Sequence, residues 1–263
     1  MIKLTLGLDA APRLAVDGLL PLGRVLRGAE PREIRRFLAT RPVYDHHVPA
    51  RSDRVGRSPE VQAKRGPFGS YDQADVMAAP HLLELATQPA LLDLAAAHLG
   101  QPPLLYALQA RWTFPPGPWG AGPAKTQAPH RDHDDARFLV MMIFLTDVAP
   151  AGDDGRADGA HVYWTGTHET ADRAAPPAEG CVVVAGPAGT ALLEDGRGWH
   201  QALPPAAPRL AAWARWGVSP RNLAYVNDRT RALPVAELGD RPFTQAWRES
   251  LPLRLATAPL VAA

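Results

Sequence analysis

The sequence predicts a mainly β protein with added helices, whose strands form a sandwich or barrel. After residue 100, short apolar runs alternate with clusters of Gly, Pro and Asp, which favours antiparallel strands over a repeated strand–helix–strand fold. The first hundred residues are mixed in character and partly helical. The length of 263 residues suits one all-β barrel with helical additions.

Three helices are expected before residue 100. The segment EPREIRRFLA, residues 30–39, carries Pro31 at a first-turn position, where Pro is well tolerated. Two further helices are expected within 80–100, each opened by a Pro, and the second ends at Gly100. Residues 43–78 are polar and loop-like, and the sequence assigns them no element.

Apolar runs after residue 100 are predicted as strands. The run RFLVMMIFLTDV is apolar on both faces, so we expect a central strand covered on both sides, with the N-terminal helices as one cover. The predicted strands lie within 103–114, 137–148, 160–166, 180–186, 189–195 and 209–217.

The segment PPGPWGAGPAK, residues 115–125, is too rich in Pro and Gly for a strand, and we expect a loop that covers a site. We expect it to be mobile without substrate and ordered with it, with Trp119 closing over the substrate. The alternative is a passive connection whose Trp packs permanently on the barrel. The tail 218–263 contains one weak helix signal, TQAWRESL.

Bulk properties exclude several function classes. The formal net charge is +1, so no global field attracts the chain to nucleic acid or to an acidic membrane. The N-terminus lacks an apolar signal region, and no apolar run is long enough to span a bilayer. The single cysteine, Cys181, forms no disulfide within the chain and is expected to be a buried strand thiol, which favours a cytoplasmic location. The oligomeric state is left open.

The densest group of metal-binding side chains is QAPHRDHDD, residues 127–135. On an extended segment, His130 and Asp132 point the same way, and a second His from elsewhere would complete a facial triad of two His and one carboxylate. A solvated charged turn is the alternative. His133 and Asp135 form a competing H-x-D pair, so the residues alone leave two registers open.

The second His is supplied seventy residues later. His200 follows a strand and a turn, and Arg209 opens the next predicted strand. A guanidinium group can bind the remote carboxylate of 2-oxoglutarate through two parallel hydrogen bonds. Ala211 shares the strand face of Arg209 and leaves room for that acid.

Residues 127–210 resemble the phytanoyl-CoA dioxygenase family of iron and 2-oxoglutarate enzymes, over about a third of the chain. The matching motifs, in order, are QAPHRDHDD, FLVMMIFLTDV, DGAHVYWTGTH and DGRGWHQALPPAAPR. The resemblance implies one domain over 1–263 with a double-stranded β-helix (jelly-roll, cupin-like) core at 101–217, helical support at 1–100 and an extension at 218–263. It implies iron(II) as the metal and 2-oxoglutarate and O₂ as co-substrates. The implied iron ligands are His130, Asp132 and His200, and the implied co-substrate contacts are Arg209, Gln127 and, more weakly, Thr190.

Two departures from the family pattern concern individual residues. The usual Pro-Gly-Ser-His turn is Thr165-Gly166-Thr167-His168 here, and we interpret His168 as a structural residue. The Lys that some members use for 2-oxoglutarate has no clear counterpart. Asp132 is present where halogenating relatives have a small residue, which favours oxygenation over halogenation.

The expected function is therefore oxidation, most simply hydroxylation, of a small organic metabolite in a biosynthetic pathway. Desaturation, epoxidation and ring formation remain alternatives, as does a jelly-roll binding protein without activity. Arg209 argues against a metal-dependent jelly-roll oxygenase that does not use 2-oxoglutarate, and the absence of an H-E-x-x-H motif argues against a zinc hydrolase. Trp112, Trp119 and Trp164 are candidates for an apolar substrate pocket, although Trp more often belongs to a core.

Overall fold

The computed structural model describes residues 2, 4–45, 55–117, 127–149, 158–170 and 174–218. The predicted loop at 115–125 therefore lies mostly outside the described residues, as do Trp119 and the predicted helix TQAWRESL. Among the described residues, no helix is both long and apolar enough to cross a membrane.

Most helices precede the main strands. Pro31 lies in the first turn of the second helix, and Gly100 adopts the left-handed conformation (φ 75°) that ends the sixth, as the sequence predicts. A short 3₁₀ helix, Thr167–Glu169, lies later in the chain. The α-helices are α1 Ala10–Asp17, α2 Glu30–Leu38, α3 Pro59–Ala63, α4 Gln73–Ala78, α5 Leu82–Ala86 and α6 Pro89–Leu99.

The strands form two antiparallel sheets. The larger has the order β1-β7-β4-β9-β3-β2, and the smaller has the order β6-β5-β8. The strands are β1 Leu19–Arg24, β2 Phe68–Ser70, β3 Leu104–Thr113, β4 Phe138–Phe144, β5 His161–Trp164, β6 Cys181–Val184, β7 Thr190–Asp195, β8 His200–Ala202 and β9 Arg209–Gly217.

Two apolar cores cover the larger sheet. On one face, Leu139, Met141 and Ile143 of β4 pack in a cluster with residues of the helices. On the other face, residues such as Phe144 join Tyr163 of the smaller sheet in a second cluster, which we call the interior core. Every residue of β4 is buried, so the prediction of a central strand covered on both sides is confirmed. The two facing sheets make the fold the predicted jelly roll with N-terminal helices packed on it.

The structure corrects two details of the sequence analysis. Three strands were not predicted: β1, β2 and β8. Strand β1 pairs with β7 and β2 pairs with β3, so the first hundred residues extend the larger sheet at both edges, while β8 pairs with β5 in the smaller sheet. The expectation of a buried Cys181 thiol is wrong, because Cys181 is exposed. Its strand, β6, is an edge strand of the smaller sheet, and most of its residues face solvent in part.

Candidate metal centre

A backbone pairing brings His130 and His200 together. His130 donates its N–H to the carbonyl of His200 and accepts the N–H of His200, both at 2.9 Å, so the segment around His130 continues the smaller sheet beside β8. Directly opposite residues of an antiparallel pair project to the same face. The two imidazole rings accordingly lie with centroids 4.3 Å apart.

Asp132 completes a compact group of three. Its N–H donates to the carbonyl of Gly196 at 2.9 Å, which fixes the segment two residues beyond His130. The Nε2 atoms of His130 and His200 lie 3.8 Å and 3.9 Å from the Asp132 carboxylate oxygens. One ligand atom from each of the three residues lies within 4.8 Å of the others, a spacing that can hold one metal ion.

Hydrogen bonds fix the tautomers of both imidazoles. Nδ1 of His130 lies 2.9 Å from the Ala128 carbonyl oxygen, and Nδ1 of His200 lies 2.9 Å from that of Gly198. A carbonyl only accepts, so Nδ1 carries the proton in each ring and Nε2 keeps a lone pair for a metal.

Electrostatics favour the protonation states that a metal needs. Burial and the neighbouring His200 lower the pKa of His130 below its ordinary value. Burial alone would raise the pKa of the Asp132 carboxyl, but the Arg215 guanidinium and the two imidazoles lower it to about 2. At neutral pH the group therefore presents a carboxylate and a neutral His130.

The competing H-x-D pair is not brought together in this way. The side chain of His133 is exposed. The Asp135 carboxylate is buried and accepts the N–H groups of Ala136 at 2.6 Å and Val218 at 2.8 Å. Asp135 thus anchors backbone, while His130 and Asp132 face His200.

Arg209 is a buried cation with unused donors. It opens β9 and is 3% exposed, and its Nη1 donates to the carbonyl of Gly159. Its Nε and Nη2 atoms have no hydrogen-bond partner among the described residues. Burial lowers the pKa of Arg209 to about 10, so the group is still charged at neutral pH. Buried unpaired donors of this kind are costly and favour an anionic ligand.

The interior face of β9 carries further groups beside Arg209. Side chains alternate along a strand, so Arg209, Ala211 and Arg215 share one face, and Ala211 belongs to the interior core. Thr113 of β3 lies directly opposite Arg209, and its buried hydroxyl also lacks a partner among the described residues. Antiparallel neighbours share a face, so this hydroxyl and the guanidinium of Arg209 project to the same side.

Gln127 and Thr190, the other predicted co-substrate residues, are both buried. Thr190 opens β7, at the opposite end of that strand from the turn at Gly196, whose carbonyl accepts from Asp132. Because β7 and β9 both run antiparallel to β4, Thr190 and Arg209 lie at the same end of the larger sheet. Their roles toward a co-substrate remain predictions.

His168 and Trp112 lie outside the triad. His168 is buried in the short 3₁₀ helix, and its Nε2 lies 3.1 Å from the carbonyl oxygen of Ala15, as suits a structural residue. Trp112 packs against the helix-side core and donates to the Tyr71 hydroxyl at 2.9 Å, so it does not line the interior face.

Sequence reasoning missed several charged residues near the triad. Arg111 of β3 lies opposite Ala211, with its guanidinium carbon 4.3 Å and 5.0 Å from the ring centroids of Phe68 and Trp213. Burial and the neighbouring arginines lower the pKa of Arg111 to about 9. The sequence signal for Arg111 was a charged residue within the predicted apolar strand at 103–114. The missed residues are Arg111, Asp134, His161, Glu194 and Arg215.

No protein-family model matches the sequence, and no curated protein matches it. The resemblance to the phytanoyl-CoA dioxygenase family is therefore not confirmed and remains a prediction.

Solved structures share the fold. The non-heme alpha ketoglutarate dependent epimerase SnoN from nogalamycin biosynthesis matches with a TM-score of 0.55 and 23% identity, over 79% of this chain and 81% of that one. The carbocyclase SnoK from the same biosynthesis matches at 0.55 and 18%, over 82% and 85%. HygX from Streptomyces hygroscopicus, with nickel, 2-oxoglutarate and hygromycin B bound, matches at 0.54 and 15%, over 81% and 88%. At these identities the likeness establishes the common fold and confirms the jelly-roll prediction.

Proposed function

We propose that this protein is a non-haem iron(II)- and 2-oxoglutarate-dependent dioxygenase. His130, Asp132 and His200 hold the iron, and Arg209 binds the remote carboxylate of 2-oxoglutarate. The observation that carries the proposal is the triad itself, whose three ligand atoms lie within 4.8 Å of one another on a jelly-roll scaffold.

The donor set fits iron(II). Two imidazoles and one carboxylate form the facial triad typical of non-haem iron oxygenases, and the remaining coordination positions stay open for co-substrate and O₂. The hydrogen bonds from Nδ1 of His130 and His200 to backbone carbonyls orient both rings with Nε2 free. A closed structural zinc site would instead offer four protein ligands, and the group found among the described residues has three.

The interior face fits an organic dianion. Arg209 has two buried nitrogens without partners, and Thr113 adds a buried hydroxyl without one, among the described residues. A carboxylate placed between them would accept from both and remove their desolvation cost. Arg111 adds a second, half-buried positive charge on the same face of the larger sheet.

The side chains of the protein hold the metal and the co-substrate in place, and the bound groups carry out the reaction. When bound, iron and 2-oxoglutarate supply O₂ activation coupled to decarboxylation, which yields succinate, CO₂ and an oxidised substrate. His130 presents a neutral nitrogen and Asp132 presents a charged oxygen, so metal binding near neutral pH displaces no proton from Asp132. The apolar residues Ala211 and Trp213 of the interior core lie on the same face of β9 as Arg209.

The structural neighbours support the cofactors and the substrate class. SnoN is described in complex with Fe3+, alpha ketoglutarate and nogalamycin RO, and HygX with nickel and 2-oxoglutarate. We propose for this chain a small organic metabolite of a biosynthetic pathway as substrate, oxidised in the cytoplasm. Hydroxylation is the simplest outcome, and desaturation, epoxidation and ring formation are alternatives from the same cofactors.

Anaerobic titration tests the proposal. Metal-free protein is loaded with iron(II) and then with 2-oxoglutarate, and the visible charge-transfer absorption of the chelate is followed. We expect the band to appear in the wild-type protein and not in His200→Ala. Its absence from the wild type would refute the proposal. A band without succinate formation in air, over a panel of small aromatic and sugar metabolites, would favour the inactive binding protein instead.

A further inference from the structure

Asp134 lies two residues beyond the candidate ligand Asp132 and belongs to a chain of polar contacts. Its Oδ2 accepts the Arg215 Nη1 donor at 2.5 Å and the Tyr106 hydroxyl at 2.9 Å. Tyr106 is buried in β3, and Arg215 lies on the neighbouring strand β9. Asp134 is therefore held from two strands of the larger sheet.

The same nitrogen of Arg215 also contacts the candidate metal ligand. Nη1 of Arg215 donates to Oδ2 of Asp132 at 3.0 Å, so one guanidinium nitrogen bridges both carboxylates. The Asp134 contact is the shorter of the two. The side chains of Arg215 and Asp134 are 18% and 17% exposed, so solvent screens their charges only in part.

The contacts of Arg215 with Asp132 and Asp134 determine how strongly the Asp132 carboxylate attracts a cation. A guanidinium beside a metal-binding carboxylate competes with the metal for it, because both are attracted to the same oxygens. Two carboxylates around one guanidinium leave a net charge of −1 in this cluster. If Arg215 had Asp132 as its only partner in the cluster, the pair would be neutral and the attraction for a divalent cation would fall.

We propose that Asp134 is a positioning residue of the metal centre, which binds Arg215 and so keeps the Asp132 carboxylate available to the metal. This inference rests on the proposed function, because it requires a metal at His130, Asp132 and His200. The hydroxyl of Tyr106 holds Asp134 in place.

Metal affinity in a double-mutant cycle tests the role. Nickel(II) binding is measured by calorimetry on metal-free wild type, Asp134→Asn, Arg215→Gln and the double variant. We expect Asp134→Asn to weaken nickel binding by about 10- to 100-fold, the range seen when an outer-shell group of a metal site is lost. The double variant should regain most of that loss, because the competing guanidinium is gone. Asp134→Glu keeps the charge and should bind more tightly than Asp134→Asn.

The controls separate this role from folding and from the proposed function. Asp93→Asn removes an exposed carboxylate from α6 and should leave nickel affinity unchanged. Thermal melting of each metal-free variant reports its fold. Unchanged affinity in Asp134→Asn, or a double variant as weak as Asp134→Asn, overturns the role of Asp134 while the metal site stands. A wild-type protein that binds no nickel, cobalt or iron overturns the proposed function and this role together.

Discussion

The imidazole Nε2 of His161 lies 2.5 Å from Oε2 of Glu194, and the two side chains are 1% and 3% exposed. The His161 ring also stacks on that of His200, with centroids 5.8 Å apart and an interplanar angle of 30°. Burial would raise the pKa of Glu194, but His161 and His200 lower it below its ordinary value. A buried pair of an imidazole and a carboxylate thus supports the ring of one candidate metal ligand.

Removing the Glu194 carboxylate should destabilise the fold. Removing one partner of a buried hydrogen bond leaves the other unsatisfied, which typically costs about 1–3 kcal/mol and more where a charged group takes part. We expect the free energy of unfolding of Glu194→Ala, measured with urea, to fall by that amount. Glu179→Ala removes an exposed carboxylate and should change it by less than about 0.5 kcal/mol. Equal effects of the two variants would contradict the importance of the buried pair.

Alanine at any ligand of the triad should remove metal binding and leave the fold intact. His130→Ala, Asp132→Ala and His200→Ala each remove one of the three ligands of the triad. Iron(II) binding and succinate formation are measured beside circular dichroism. His133→Ala is the matched control, because His133 is exposed and outside the triad. Loss of iron in the His133 variant, with retention in the His130 variant, would show that the other H-x-D pair holds the metal.

Replacing Arg209 should weaken 2-oxoglutarate binding far more than iron binding. Loss of a buried charged contact costs about 2–5 kcal/mol, which corresponds to roughly 30-fold to several thousand-fold in the KM for 2-oxoglutarate. Arg209→Met keeps the apolar bulk of the side chain. Arg137→Met, at a half-exposed contact with the Leu99 carbonyl, should leave this KM unchanged. A larger effect of Arg111→Met than of Arg209→Met would assign the remote carboxylate to Arg111.

The sequence could predict elements whose signal is local. The strands β3, β4, β7 and β9 follow from apolar runs, and α6 follows from its Pro and Gly ends. The strand β1 has no such signal, because its sequence LLPLGR contains Pro and Gly and its pairing with β7 shifts register between Pro21 and Gly23. An edge strand tolerates Pro21 and Gly23, and β1 lies at the edge of the larger sheet only because of the tertiary structure.

The candidate metal centre also contains residues that the local sequence predicts and residues that it does not. His130 and Asp132 share one face by local alternation, so their spacing predicts a pair. The contacts of Arg215 with both Asp132 and Asp134 join residues more than 80 positions apart, and those of Glu194 depend on which face of β7 turns inward. Register across strands determines both, and single-strand patterns do not specify register.

Asp195 should make the fold sensitive to acid. Its carboxylate lies 2.9 Å from Nε2 of His98 and accepts from Arg197 at 3.0 Å and 2.7 Å, which ties α6 to the end of β7. Burial would raise its pKa, but the hydrogen bonds from His98 and Arg197 lower it to about 2. An unfolded Asp has a pKa of about 3.9, so the unfolded chain takes up this proton first as the pH falls.

The stability contributed by the charged Asp195 is therefore complete above about pH 4 and is lost as the pH falls toward about 2, by about 2–3 kcal/mol. The amide of Asp195→Asn does not titrate, so its free energy of unfolding should fall less over this window than that of the wild type. Asp93→Asn, on the exposed side of α6, should follow the wild-type curve. Parallel curves for wild type and Asp195→Asn between pH 4 and pH 2 would show that the pKa of this carboxyl is not lowered in the folded protein.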